Sequence, residues 1–167
     1  MSHLNTTSAS AQEREFVLGQ ELRVTILASA AETEGRHDFT DAVQSAGKAT
    51  PLHVHTRYEE RLWVVSGSLT VWAGEDTLTL RSGDYYAIPM DVPHAIQSGP
   101  DGARVLNVTS PAGLAELIAR SGTPARLATS ETEFNVELFR AVAAELGDIV
   151  LGPPGTVPAD LIRGEGA

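Results

Sequence analysis

Between about residues 15 and 110 the chain alternates short apolar, β-branched runs with turn residues. Residues 23–28, 61–65, 69–72, 77–80, 85–88 and 105–108 are such runs. Ser66-Gly67 ends one, and Ala73-Gly74-Glu75-Asp76 ends another. Strands this short, at near-regular spacing with Gly and Asp between them, predict an all-β barrel or sandwich.

The pattern changes after residue 110. Ser110-Pro111 predicts a helix start, with Ser as N-cap and Pro at the first helical position. Leu114, Leu117 and Ile118 share one face of that helix, and Gly122 stops it. Ser130-x-x-Glu133 has the form of a capping box and predicts a second helix. Along it Leu138, Val142 and Leu146 recur every four residues, and Gly147 ends it. These faces are expected to pack on the barrel or on a second subunit. The resulting organisation is a flexible segment over 1–14, a β-barrel over 15–110, a helical segment over 111–154 and a tail over 155–167.

Length and composition narrow the chemistry. At 167 residues, 42% of them hydrophobic, the chain has the material for one domain with a real core. It contains no cysteine, which excludes disulfides, thiolate metal sites and a thiol nucleophile. Any metal must be held by nitrogen and oxygen. A net charge of −10 argues against nucleic-acid and anionic-membrane partners, both of which need a positive patch. No apolar run reaches membrane-spanning length. Residues 1–12 lack the apolar stretch of a secretory signal, so a cytoplasmic location is expected. Asn5-Thr6-Thr7 and Asn107-Val108-Thr109 then read as chance matches to the glycosylation pattern.

Two segments carry the candidate chemistry. In the first, from Gly47 to Gly67, His53 and His55 stand two apart in an apolar, extended stretch, which places both imidazoles on one face of a strand. Glu60 follows after a short turn and opens the next strand. Glu59 directly precedes it, and strand alternation lets only one of the two face inward; spacing favours Glu60. In the second segment, from Gly83, a Pro-bounded turn leads from Pro89 to His94 at the start of another strand. His3 and His37 belong to a tail and to a polar turn or edge strand.

These segments resemble the two conserved motifs of the cupin superfamily. The first fits Gly, five residues, His-x-His, four residues, Glu, six residues, Gly. The second fits Gly, five residues, Pro, with His five positions later; Asp91 stands where the family usually has Gly, and Ser98 where it often has Asn. The resemblance covers roughly residues 20 to 110. It implies a jelly-roll barrel and a single divalent transition-metal ion (Fe, Ni, Mn, Co, Cu or Zn) held by His53, His55, Glu60 and His94. Three neutral imidazoles and one carboxylate suit any of these ions, so the ligand set does not choose among them.

Counting from Glu60, Leu62 and Val64 point inward with it, while Trp63 and Val65 face away. In the next strand either Val71 or the pair Leu69 and Trp72 lines the cavity. Tyr58 and Tyr86 are further candidate pocket residues; Arg57 and Arg61 read as solvated edge charges. Apolar walls imply a partly hydrophobic small-molecule substrate. Residues 51–55, 60–67 and 110–116 also resemble bacterial quercetinase-like monocupins. That resemblance implies an oxygenase acting on a phenolic or enolic molecule, with Glu60 as ligand and proton acceptor. A redox-neutral cyclase, isomerase or decarboxylase is the alternative, and a non-catalytic binding module the second alternative. A homodimer covering Trp63 is expected from the kinship; a position under the helices is the other place for that side chain.

Overall fold

The computed structural model describes residues 13–164. Most of the 1–14 segment, with His3 and Asn5, lies outside them, as do residues 165–167. Ten strands follow in order: β1 (Glu15–Leu18), β2 (Leu22–Ala28), β3 (Asp38–Gln44), β4 (Leu52–His55), β5 (Glu59–Ala73), β6 (Asp76–Arg81), β7 (Tyr85–Ile88), β8 (His94–Ser110), β9 (Thr123–Pro124) and β10 (Asp148–Gly152). A single turn of helix, α1 (Ala30–Thr33), interrupts them early. Later come α2 (Leu114–Ser121), α3 (Val136–Leu146) and α4 (Pro158–Gly164). Among the described residues no helix is long and apolar enough to cross a membrane.

The strands form one antiparallel, rolled sheet in the order β10-β4-β8-β3-β2-β1-β9. The long strand β5 pairs with β6, β7 and β8. This is the all-β architecture the alternation predicts, in the jelly-roll form the resemblance implies. Two runs expected as separate strands, 61–65 and 69–72, are one strand, because β5 passes through Ser66-Gly67 on two register shifts. Such bulges bend a strand without ending it. Gly67 carries a φ of 73°, and a Cβ there would collide with the carbonyl of Gly102. Only glycine fits both demands. In the same way 105–108 is part of a 17-residue strand, β8.

Alternation along β5 sorts its side chains. Glu60, Leu62 and Val64 are buried, while Arg61 and Trp63 face outward. Trp63 is 55% exposed beside its cross-strand partner Tyr85, so it does not sit under the helices. Past the bulge Leu69, Val71 and Ala73 point inward and Trp72 is half-buried on the other face, so the expected pairing of Leu69 with Trp72 is corrected. The barrel core joins Val64, Val71, Leu80, Ile88 and Val105, and a second cluster seats α2 on β1 and β2 through Leu18, Val24, Ile26 and Ile118.

The helical segment departs from expectation in three ways. Strand β8 runs through Ser110, and α2 starts only at Leu114. Its exposed amides are met from a distance: Asp38 Oδ2 of β3 accepts from the N–H groups of Gly113 (2.7 Å) and Ala115 (2.9 Å). A carboxylate at a helix N-terminus satisfies both the free donors and the dipole. Helix α3 starts after Asn135, whose Oδ1 accepts from Leu138 N–H at 3.0 Å, so Ser130-x-x-Glu133 is not its cap. Its inner face is Phe139, Val142, Ala143 and Leu146, and Leu138 is exposed. Finally, residues 111–154 are not wholly helical, since β10 returns to pair with β4, and residues 155–167 include α4.

Candidate metal centre

Three strands bring the candidate ligands together. His53 and His55 lie on β4, Glu60 opens β5 and His94 opens β8. His53 and His94 are direct partners across the β4–β8 pairing. One nitrogen or oxygen from each of His53, His55, Glu60 and His94 falls within 4.8 Å of the others. The imidazole centroids are 4.2–4.9 Å apart. His55, Glu60 and His94 are buried, and His53 is half-buried on the cavity wall. Glu59 points outward to Arg61, so Glu60 is the inward carboxylate. Asp91, at the position where the motif usually has glycine, adopts a left-handed φ of 63° and donates its N–H to His55 O at 2.9 Å. Aspartate tolerates that conformation better than most residues. Ser98 ties β8 to the Lys48 loop by accepting from Lys48 N–H at 3.0 Å.

Each imidazole has its outer nitrogen engaged. His53 Nδ1 donates to Pro51 O at 2.7 Å, and His94 Nδ1 donates to Val92 O at 2.9 Å. His55 Nδ1 donates to the Asp148 carboxylate, also at 2.7 Å. Because these partners only accept, the Nδ1 atoms carry the protons and the Nε2 atoms are turned towards the cluster. Glu60 Oε2 lies 3.3 Å from His55 Nε2 and 3.2 Å from His94 Nε2. A neutral imidazole protonated at Nδ1 presents a lone pair there, facing a carboxylate that also only accepts. The arrangement therefore requires positive charge between them, from added protons or from a cation. A divalent ion fits this donor set, which offers nitrogen and oxygen without thiolate.

The electrostatics agree. Desolvation, with His94 and His55 close by, lowers His53 to about 3, so it is neutral near pH 7. Burial opposes the charged form of His55, yet its hydrogen bonds to Asp148 and Glu60 raise it to about 9. Burial also opposes charge on Glu60, but hydrogen bonds from His55 and His94 hold its carboxyl well below the usual range. Because a metal ligand must be unprotonated, a cation bound at the cluster would displace any proton on His55 Nε2.

Two residues of this site carry no local sequence signal for it. Asp148, the first residue of β10, is paired with His55 across the sheet and is buried. Asn107 donates Nδ2–H to Glu60 Oε1 at 2.5 Å and fixes the second carboxylate oxygen. The Asn107 side chain is buried inside the barrel, out of reach of a modifying enzyme. Tyr58 stacks on His55 with centroids 4.3 Å apart, and its hydroxyl donates to Asp148 Oδ2 at 2.8 Å. Burial and the adjacent Asp148 push that phenol well above its ordinary value, so it stays a donor.

The cluster opens on an apolar cavity of about 210 Å³. Leu62, Leu69, Ile96 and Val105 of the barrel line it, with Leu117, Ile118 and Phe139 of the helices. Of the four residues expected to line it, Leu62 does. Tyr58 is packed behind His55 instead, Val64 is wholly enclosed in the core, and Tyr86 turns its hydroxyl outward to Asp76. The parity of Val64 is as expected, but the packing of β6 and β7 against β5 fills the space in front of it. Arg57 and Arg61 engage Glu145 O and Glu59 on the exterior.

Comparison with known proteins agrees with this fold. A family model described as a cupin domain matches residues 42–109. Quercetin 2,3-dioxygenase of Aspergillus japonicus is 30% identical over 91 residues, 52% of this chain and 26% of that protein. The chain thus spans about a quarter of the length of that curated relative. An RmlC-like cupin from Shewanella frigidimarina superposes with a TM-score of 0.56 at 22% identity, covering 66% of this chain and 93% of its own. A predicted oxalate decarboxylase from Thermotoga maritima gives a TM-score of 0.50 at 16% identity, covering 54% and 80%. Residues 42–109 thus match a cupin domain, and the fold around them is shared with a cupin structure.

Proposed function

We propose that the chain is a metal-dependent cupin enzyme, a quercetinase-like oxygenase of a phenolic or enolic small molecule. The observation that carries this reading is the His53, His55, Glu60 and His94 cluster at the inner end of an apolar cavity. The similarity to a quercetin 2,3-dioxygenase supports the choice of reaction. A divalent transition ion held there supplies Lewis acidity and, when redox-active, one-electron chemistry with dioxygen. The three imidazoles would hold it, each braced through Nδ1. Glu60 takes the hydroxyl proton of the substrate at Oε2, while Asn107 keeps Oε1 in place. The apolar wall holds the body of the substrate and limits the entry of bulk water.

The test is oxygen uptake by iron- or nickel-loaded protein given a flavonol or a smaller enol. The expected result is uptake that depends on the substrate and on Glu60. Turnover that persists under strict anaerobiosis would instead assign redox-neutral Lewis-acid chemistry. Tight binding with no product would assign a binding module. We also infer a cytoplasmic homodimer closed over Trp63 and Tyr85, which sedimentation of the wild type and Trp63→Ser compares directly.

A further inference from the structure

We propose that Thr40 and Asn107 form a polar subsite beside Glu60. It selects a compact substrate, uncharged away from the metal cluster, that carries a second hydroxyl or N–H group next to the one bound there. This rests on the reading that the cavity holds an organic ligand at a metal, and it names the class of that ligand.

The two residues are direct partners across the β3–β8 pairing, and both line the cavity with Glu60 and Leu62. Thr40 is 1% exposed and Asn107 8%. Yet among the described residues Thr40 Oγ1 and Asn107 Oδ1 have no hydrogen-bond partner. Buried polar atoms are nearly always paired, and one left unpaired costs about 1–3 kcal/mol. Two unpaired atoms on adjacent strands, on one patch of a cavity wall, point to a partner from outside the chain. Asp38 Oδ1 is also unpaired, but Asp38 does not line this cavity.

The chemistry of the patch defines the partner. Asn107 Nδ2 already donates to the Glu60 carboxylate, which fixes the amide orientation and leaves Oδ1 as an acceptor. The subsite therefore takes an O–H or N–H donor, and the Thr40 hydroxyl serves as a second donor or acceptor. Among the described residues Lys48 is the one Lys or Arg along the cavity wall, and it is paired with Glu21 at 2.6 Å. Among the described residues no free side-chain cation is left there for a carboxylate or phosphate, so the ligand carries no charged group away from the metal cluster. The volume of 210 Å³ lies below the roughly 300–1,000 Å³ of pockets for drug-sized molecules, which limits the apolar body to one or two rings.

The experiment is calorimetric titration of zinc-loaded protein with 2,3-dihydroxynaphthalene and with 2-naphthol, for wild type and Thr40→Val. Zinc is chosen because it does not oxidise the probes. The expected result is a preference for the diol of about tenfold or more in the wild type. Thr40→Val should remove most of that preference and leave 2-naphthol affinity and zinc content unchanged. Its melting temperature should hold or rise, because an unpaired buried hydroxyl has been replaced by a methyl group. An unaltered diol preference in Thr40→Val, or an equal loss for both probes, overturns the subsite while leaving the metal-centred reading in place. Binding of neither probe by fully loaded protein overturns both.

Discussion

On the side of the barrel formed by β5, β6 and β7, Val64, Val71, Leu80 and Ile88 pack into one buried cluster. On the side formed by β2, β3 and β4 and covered by α2 and α3, the apolar residues of the second cluster also face a cavity. Leu22, Val24, Ile118 and Phe139 wall a cavity rather than fill it. The polar content divides in the same way. The packed cluster is apolar, whereas the cavity wall carries His53, His55, Glu60, Asp148 and the unpaired Thr40 Oγ1 and Asn107 Oδ1. One fold thus separates the residues that hold it together from those that give it chemistry. Natural domains typically tolerate such unfavourable polar burial only where it serves a site.

The comparison breaks first on the packed side. Leu80→Ala should cost about 2–5 kcal/mol in chemical denaturation, the range for a buried leucine, with metal affinity per folded molecule unchanged. A parallel loss of metal affinity would show that the two sides are not separable. Next, on the open side, Asp148→Asn should weaken metal binding about 10–100-fold in a chelator competition and change stability little, because it disturbs the residue that orients His55. An unchanged affinity would reduce Asp148 to a sheet contact. The smallest effect is expected for Tyr58→Phe. It removes one donor to Asp148 but keeps the ring on His55, so affinity should fall by at most about tenfold.

The motif side of this molecule was legible in the chain, and the reason is local. His53, His55, Glu60 and Val64 lie on consecutive strands joined by a short turn, so parity admits only one of Glu59 and Glu60 and the motif spacing selects Glu60. What escaped sequence reading depends on distant partners. Asp148 meets His55 across 93 residues, and β10 inverts the usual code: Asp148 faces in while Ile149 and Leu151 are exposed. The start of α2 is set by Asp38, 75 residues before Gly113, rather than by Ser110 beside it. Thr40 and Asn107 look like ordinary strand residues until β3 and β8 pair and set them side by side on the cavity wall. Val64 shows the converse, since its inward parity is plain but what fills the space before it is not.

The central claim is that His53, His55, Glu60 and His94 hold one ion. Elemental analysis of protein purified without chelator, beside Glu60→Ala and His53→Ala, tests it most directly. The wild type should carry about one divalent transition ion per chain, and each variant should lose most of it while remaining folded by circular dichroism. Full occupancy in both folded variants would contradict the assignment.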